Sequence, residues 1–422
     1  MSRKQFVIIG NSAAGISCVE TIRKNDKNSK IIVISDEGYP AYCRCLISNY
    51  LAKEIKEKEI FYREESFYKD NQIELILNKK AVSLDTRKNV VILEDKNKFS
   101  YDYLLIATGS SPKFPSIEGM RRKGVFGFRS LKDVEEIEKL LPFANTACIL
   151  GGGLIGIKSA SSLLKRGIRV KLIVKSKQIL SQILDFDSAR IVQSFLENKG
   201  MEIFLGSDVV EIMGKDNVEG IRLDSGEKIP CSLVIVAKGV KPNTAWVKES
   251  PLKINTGILA NEYLQTNIPN VFTAGDVCEV KDLISSQYTI NALWPVAVEE
   301  GEVAGFNMCG ERKIYPGSLG MNSVEFFGLP VISIGIFSPQ EKAGYEELIH
   351  QDLARNIYKK FVLKENRLVG TILIGDIRAG GLFLRLIKEK KEVISIKDKL
   401  FNENFNYADI KGLIEEREKI YV

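Results

Sequence analysis

An α/β architecture with two parallel-sheet units is predicted for this chain of 422 residues by two observations. Two glycine-rich loops, Gly10-Asn11-Ser12-Ala13-Ala14-Gly15 and Gly151-Gly152-Gly153-Leu154-Ile155-Gly156, each follow an apolar run, Phe6-Val7-Ile8-Ile9 and Ala147-Cys148-Ile149-Leu150. Around each loop the pattern reads strand, helix, strand, and that unit implies a parallel sheet. A turn of this kind aims backbone N–H groups and a helix N-terminus at a pyrophosphate. Two such turns predict two bound dinucleotides, one to deliver a hydride and one to take it.

The elements follow in order. The first unit opens with a strand over 5–10, a helix over 13–25 and a strand over 30–35. A helix near 61–70 and strands near 73–77, 90–94 and 103–107 come next. Ala107-Thr108-Gly109-Ser110-Ser111-Pro112 then breaks the pattern with turn formers. The second unit has a strand over 146–150, a helix over 154–166 ended by Gly167, and a strand over 168–174. Strands near 218–223 and 232–237 precede the closing segment Ala237-Lys238-Gly239-Val240-Lys241-Pro242-Asn243. The stretch from 240 to 315 carries the loop Thr273-Ala274-Gly275-Asp276. Beyond 316, strands over 331–336, 358–363 and 367–373 mix with helices over 378–389 and 407–418. The expected division is two Rossmann-like dinucleotide-binding domains, one inserted in the other, plus a C-terminal α+β domain. Residues 1–115 with 240–315 form the first, 116–239 the second and 316–422 the third.

Length and composition agree with this. A chain of this size is expected to split into two or three domains, and 45% hydrophobic with 27% charged residues is ordinary for a globular protein. No apolar run is long enough to span a bilayer. Met1-Ser2-Arg3-Lys4 leads straight into the first strand and leaves no room for a signal peptide, so a cytoplasmic location is expected. Seven cysteines without framework spacing fit a reducing compartment. The net charge of +6 fits an acidic protein partner or simply a solvated lysine-rich surface. No basic tract interleaved with aromatics is present, which argues against a nucleic-acid partner.

Within the first loop Ser12 replaces the glycine that usually lets backbone approach the pyrophosphate, and its small hydroxyl can donate to a phosphate oxygen. Asp36 and Glu37, after the apolar run Ile31-Ile32-Val33-Ile34, stand where an acid holds adenosine ribose hydroxyls. The second loop keeps all three glycines, but its following strand ends at Val174-Lys175-Ser176-Lys177. Lys175 and Lys177 suit the 2′-phosphate of NADPH, or are solvated surface residues; both readings stay open. No Cys-x2-Cys or Cys-x4-Cys pair exists, which removes the usual redox disulfides. Cys43 and Cys45 flank Arg44, whose charge could lower a thiol pKa beside them. Cys18, Cys148, Cys231, Cys278 and Cys309 read as core or surface thiols without metal spacing.

Taken together, these segments resemble the FAD-dependent pyridine nucleotide–disulfide oxidoreductase superfamily, and within it the branch of NADH oxidases, NADH:rubredoxin oxidoreductases and the flavin portion of assimilatory nitrite reductases. The resemblance runs over nearly the whole chain. It is carried by the two glycine loops, Tyr42-Cys43-Arg44-Cys45-Leu46-Ile47, Ala107-Thr108-Gly109, Gly239 to Asn243, Ala274-Gly275-Asp276, Trp294-Pro295-Val296-Ala297 with Gly301, and Met321 to Gly328. It implies FAD, with NADH or NADPH as the second dinucleotide.

The resemblance also implies roles. Gly10, Ser12, Ala13, Ala14, Gly15, Asp36 and Glu37 belong to the adenosine and pyrophosphate site of FAD. Arg44 lies near the flavin or its phosphates, and Ala107, Thr108 and Gly109 line the FAD site. Gly275 and Asp276 take the ribityl chain or pyrophosphate. A helix starting near Pro295 aims its N-terminus at the flavin, stabilising negative charge there. Trp294 covers the isoalloxazine or is a core aromatic. Gly151, Gly153, Ile155, Gly156, Lys175 and Gly239 belong to the NAD(P)H site. Cys45 sits at the register of the single redox cysteine of NADH oxidases and coenzyme A disulfide reductases.

Histidine points another way. Ala13 stands where NADH peroxidases place a catalytic histidine, and the only histidine, His350, lies in no base motif. Electron transfer needs no such base. The implied function is therefore electron passage, in either direction, between NAD(P)H and a rubredoxin or ferredoxin-like iron–sulfur protein. The alternatives are a thiol-active enzyme using Cys45 (with Cys43 beside it) and a flavoprotein subunit of a larger redox complex. Homodimers are common in the superfamily.

Overall fold

The computed structural model describes residues 3–339, 341 and 343–414. Along the chain, β1 (Gln5–Ile9), α1 (Ala13–Asn25), β2 (Lys30–Ile34), β3 (Ile73–Ile76) and β4 (Tyr103–Ile106) come first. Then follow β5 (Val125–Phe126), β6 (Thr146–Leu150), α2 (Leu154–Lys165), β7 (Arg169–Val174), β8 (Glu202–Leu205) and β9 (Leu233–Val236). Next are β10 (Val271–Thr273) and α3 (Trp294–Met308). The last stretch holds β11 (Met321–Phe326), β12 (Leu329–Gly335), β13 (Tyr345–Asp352), β14 (Ile357–Lys364) and β15 (Arg367–Ile374).

The chain divides into two compact units. One takes Met1–Lys113, Arg129–Glu135 and Val240–Ser318; the other takes Phe114–Phe128, Glu136–Gly239 and Leu319–Val422. The first unit contains a parallel sheet in the order β10-β4-β1-β2-β3. β1 is central, with Ile9 opposite both Ile34 and Ile106, so its last residue opens into the first glycine loop between two neighbours. Alternation buries both faces of the sheet: Phe6 and Ile8 pack with Ile16, Val19 and Phe272, and Val7 and Ile9 with Ile32, Ile34 and Leu104.

The second unit repeats the arrangement in the order β8-β7-β6-β9-β5, again all parallel, with β6 central. It also holds an antiparallel sheet in the order β11-β12-β15-β14-β13, backed by the helix Gly380–Lys388. This is the α/β class expected, with two Rossmann-like sheets and a C-terminal α+β part. Among the described residues no helix is long and apolar enough to cross a membrane.

Local differences from the sequence reading have identifiable causes. The strand near 90–94 does not join the parallel sheet. Val90–Leu93 pairs antiparallel with Ala81–Asp85 and Lys98–Ser100 around a turn in which Lys96 has φ 68. The helix near 61–70 is shortened to Glu65–Asp70: Phe61 is extended and bridges to Tyr42, and a separate short helix, Glu57–Ile60, precedes it. The strand near 218–223 starts only at Gly220. The helix expected over 407–418 is seen as Tyr407–Ile414, its last residues lying outside the described ones.

Candidate functional site: two dinucleotide crevices

In the first unit the glycine loop is shaped by close backbone approach. Gly10 has φ +122, and a Cβ there would lie 2.1 Å from the Ala107 carbonyl oxygen. A Cβ on Gly15 would lie 2.0 Å from the Gly10 oxygen. Both positions therefore require glycine. Ser12 caps α1 in an extended conformation without a side-chain capping bond, and no acid stands in the first turn. The helix start thus presents N–H groups and a hydroxyl to an anion.

A second helix start joins it. α3 begins at Trp294 and Pro295, again with no acid in its first turn. Its Gly301 packs directly on Ala14, and a Cβ added at Gly275 would fall 3.3 Å from the Ala14 Cβ and 3.6 Å from that of Ala297. The Gly10 loop, the Gly275-Asp276 loop and the start of α3 therefore converge. The buried Glu300 accepts the Gly275 N–H at 2.7 Å, which fixes that loop from below.

A polar network closes the other side. Arg44 donates to both Glu37 oxygens, Nη2 at 2.8 Å and Nη1 at 3.2 Å, and lies over the Tyr42 ring. Tyr42 donates to Glu37 at 3.2 Å while accepting from Arg44 at 2.9 Å and from the Leu131 N–H at 3.1 Å. Burial alone would weaken the Arg44 cation; Tyr42 and Glu37 more than offset it and hold the group charged. Arg44 Nη1 also donates to the Arg129 carbonyl. Arg129 in turn pairs with Asp276, and its Nε donates to the Ser110 carbonyl at 2.7 Å. The Ser110 hydroxyl donates to Asp276 at 3.0 Å.

The structure thus brings Glu37, Arg44 and Asp276 together and leaves Asp36 exposed. Arg129 was missed in the sequence. Its local signal was the turn Ser130-Leu131-Lys132-Asp133, where Ser130 and Asp133 bond reciprocally as a capping box. Thr108 and Asn243 exchange side-chain and backbone bonds at 3.0 and 2.8 Å, so the Thr108-Gly109 turn is zipped to the segment after Gly239. Cys43 is half-buried and Cys45 exposed, on the turn Arg44–Leu46. The Arg44 charge expected to act on these thiols is met by Glu37. Trp294 is half-buried and packs edge-on against Tyr62 at 5.4 Å.

The second unit carries the same device. Gly151 has φ +119 with a Cβ position 2.3 Å from the Ala237 oxygen, and a Cβ on Gly156 would meet the Gly151 oxygen at 1.9 Å. Gly153 is different: nothing lies within 4 Å of its Cβ position, and it caps α2, whose first turn has no acid. That open face is the backbone surface a pyrophosphate needs. Ile155 is half-buried in the first turn of α2. Lys175 leaves the end of β7 exposed and pairs with Asp208 at 3.2 Å; Lys238 pairs with the same carboxylate.

This geometry defines a protein with two dinucleotide crevices, each at the carboxyl end of a parallel sheet. Residues 4–301 match the pyridine nucleotide-disulphide oxidoreductase family, and the chain belongs to that family. Residues 321–391 match the rubredoxin NAD+ reductase C-terminal domain. The chain is 33% identical over 396 residues to the nitrite reductase [NAD(P)H] of Bacillus subtilis (strain 168), covering 93% of this chain and 48% of that protein. It is 36% identical over 320 residues to the NADH oxidase of Methanocaldococcus jannaschii, covering 74% and 71%. A solved NAD-dependent persulfide reductase from A. fulgidus superposes with a TM-score of 0.87 at 25% identity, covering 93% of this chain and 78% of that one. The chain spans about half the length of two of the curated relatives it matches, both from Bacillus subtilis. FAD and NAD(P)H are the cofactors of this class of oxidoreductase. The residues present fit both groups: the glycine cradles leave room only for backbone, and Gly153 faces open space.

Proposed function

We propose that the protein transfers electrons between NAD(P)H and an acidic iron–sulfur carrier protein of the rubredoxin or ferredoxin kind. The observation that carries the reading is the pair of glycine cradles on one chain, followed by residues 321–391 that match a rubredoxin reductase C-terminal domain. FAD, when bound, supplies an acceptor for hydride and a donor of single electrons. The chain's own part is to hold it. The starts of α1 and α3 face the negative charge of pyrophosphate and reduced flavin, Glu37 takes the adenosine ribose hydroxyls with Arg44 fixing its carboxylate, and Asp276 with Arg129 takes the ribityl side. Gly151, Gly153 and Gly156 hold the pyrophosphate of NAD(P)H, with Ile155 and Gly239 beside it.

No base is required for this chemistry. The single histidine supports that reading: His350 lies on β13, with its ring 5.8 Å from that of Phe401. The net charge of +6 favours an acidic carrier through long-range steering. Residues 316–422 act as the interface domain, and the exposed Ile349 and Leu353 at the β13 edge give a homodimer contact that sedimentation velocity would test.

The test compares acceptors under anaerobic conditions. With NADH or NADPH as donor, oxidised rubredoxin or ferredoxin is expected to be reduced at least tenfold faster than coenzyme A disulfide or polysulfide, and Cys45→Ser to leave that rate unchanged. A second reading, sulfur reduction through Cys45, is favoured by the exposure of that thiol and by the likeness to a persulfide reductase. Loss of turnover with every acceptor in Cys45→Ser would select it. So would a titration in which full flavin bleaching consumes about twice one flavin's worth of NADPH.

A further inference from the structure

The second crevice contains a charge arrangement that the glycine loop does not explain. The sheet order β8-β7-β6-β9 places the ends of β7 and β9 on opposite sides of the loop that follows β6. Lys175 is the first residue beyond β7. Lys238 lies just beyond β9. Asp208 comes from the loop after β8, and that loop is fastened to the end of β7: the Gly206 N–H donates to the Ser176 carbonyl and the Ser207 N–H to the Val174 carbonyl, both at 3.1 Å. From there Asp208 pairs with Lys175 at 3.2 Å and with Lys238, so a Lys–Asp–Lys cluster links the residues beyond β7 and β9, the two strands that flank β6. Lys177 is exposed beside it.

An acid at the end of the second strand of such a sheet accepts the ribose 2′-hydroxyl of NADH, and cations there accept the 2′-phosphate of NADPH. In this chain the strand end supplies the cation and the neighbouring loop supplies the acid. Two ammonium groups share the Asp208 carboxylate, which leaves these three side chains a net positive charge; a second carboxylate, Asp224, stands behind and accepts the Asp208 backbone N–H at 3.2 Å. A phosphate monoester carries close to two negative charges at neutral pH against one for a carboxylate. The Lys175 side chain is 80% exposed, and ion pairs that open to water are weak, so the Lys175 arm can be taken apart, whereas the Lys238–Asp208 pair is mostly covered.

We propose that Asp208 sets the choice between NADH and NADPH: its carboxylate and the coenzyme's 2′-phosphate compete for the same two ammonium groups, Lys175 and Lys238. The inference rests on the reading of this unit as the NAD(P)H site. Asp208 acts through the lysines, so it is a specificity-determining residue and not a catalytic one. Removing its charge frees both cations for the phosphate and leaves a nucleotide lacking that phosphate indifferent.

The experiment is calorimetric titration of the FAD-loaded protein with adenosine 2′,5′-bisphosphate and, separately, 5′-AMP, which differs only by the 2′-phosphate. Asp208→Asn is expected to tighten the bisphosphate roughly five- to tenfold and to leave 5′-AMP within twofold, a gain that shrinks as salt is raised. Lys175→Ala is expected to weaken the bisphosphate by a similar factor without touching 5′-AMP. If both nucleotides bind and Asp208→Asn changes neither, the assignment of Asp208 falls while the NAD(P)H reading stands. If Asp208→Asn weakens 5′-AMP, the carboxylate holds ribose hydroxyls and the competition is refuted. If neither nucleotide binds the FAD-loaded wild type, the reading of the unit falls and takes this inference with it.

Discussion

Gly301→Ala tests whether the two helix starts in the first unit act as one device. A Cβ at 301 would lie 2.2 Å from the Ala14 carbonyl oxygen and 2.9 Å from both its carbonyl carbon and its Cα. A comfortable carbon–oxygen contact is about 3.3 Å, so α1 and α3 must part locally by roughly 1 Å. All three atoms are backbone, and Ala14 is buried, so no side chain can swing away. Overpacking of this size costs about 1–3 kcal/mol, which for a unit of this size lowers the melting temperature by about 3–10 °C. Separation also moves both helix starts and the Gly275 loop between them. FAD affinity is therefore expected to fall by about tenfold, equivalent to about 1.4 kcal/mol. Gly305→Ala is the control. Its Cβ would sit 2.8 Å from the Thr21 Cβ and 2.9 Å from the Cys18 oxygen, a smaller overlap placed further from the helix starts. It is expected to lower the melting temperature while keeping FAD affinity within threefold. Thermal melts and FAD titration of the deflavinated proteins decide the matter. A Gly301→Ala variant with wild-type melting and wild-type FAD affinity would refute the coupling.

Three further outcomes are expected. Burial pushes Glu300 well above the ordinary carboxylate range, with only the Gly275 N–H opposing it and the Asp276 charge adding to it. The folded protein therefore keeps a proton that the unfolded chain releases above about pH 4.3, and stability falls as pH rises from there toward the raised value. Glu300→Gln keeps an acceptor for Gly275 and removes that slope, so its stability advantage should widen between pH 5 and 8; parallel melting curves would count against it. Arg44→Ala strips Glu37 and Tyr42 of their shared donor and is expected to cost about 1–3 kcal/mol in urea unfolding. Gly381→Ala, in the helix Gly380–Lys388 with nothing within 4 Å of its Cβ position, should stabilise by about 0.5–1 kcal/mol; a lower urea midpoint would show that the space is not open.

Much of the fold was legible because the parallel strands are short apolar runs punctuated by glycine. β1, α1, β2, β6, α2 and β7 fall within a residue or so of their expected limits. What escaped was patterned differently. β13 (Tyr345–Asp352) is largely exposed at a sheet edge, so no alternation of apolar residues marks it. The helix Phe186–Asn198 does carry a signal, Asp185 capping the Ser188 N–H at 3.0 Å, but it follows an irregular stretch in which Ile179, Leu180, Ile183 and Leu184 are buried without strand or helix periodicity. The glycine positions of the site were readable for the same reason as the strands: the backbone contacts that demand glycine lie within one loop and its sheet neighbours. Side-chain partners were not readable. Arg44 and Arg129 are far apart in sequence, and only the folded loops bring the Arg44 guanidinium to the Arg129 carbonyl and Arg129 to Asp276.

The two crevices show what sequence can and cannot say about charge. Their backbones are near copies: Gly10 N–H donates to Ile34 and Gly151 N–H to Ile173, and Ala107 N–H returns to Ile9 as Ala237 N–H does to Leu150. Their charges are inverted. Beyond β2 the chain itself supplies an acid, Glu37, and a nearby turn supplies the cation, Arg44. Beyond β7 the chain supplies a cation, Lys175, and the loop after β8 supplies the acid, Asp208. Each carboxylate is matched, yet the exposed member differs: the Lys175 side chain is 80% open, whereas Arg44 and Glu37 are mostly covered. On the proposed reading, a nucleotide entering the first crevice meets a carboxylate held rigid by a bidentate guanidinium, which suits hydroxyls and resists replacement. On the same reading, one entering the second meets one ammonium open to water, Lys175, that an anion can capture, and one mostly covered, Lys238. If the proposed function holds, the same fold thereby offers a fixed seat for one dinucleotide and an exchangeable one for the other, which is what a protein that keeps one cofactor and turns over the second requires.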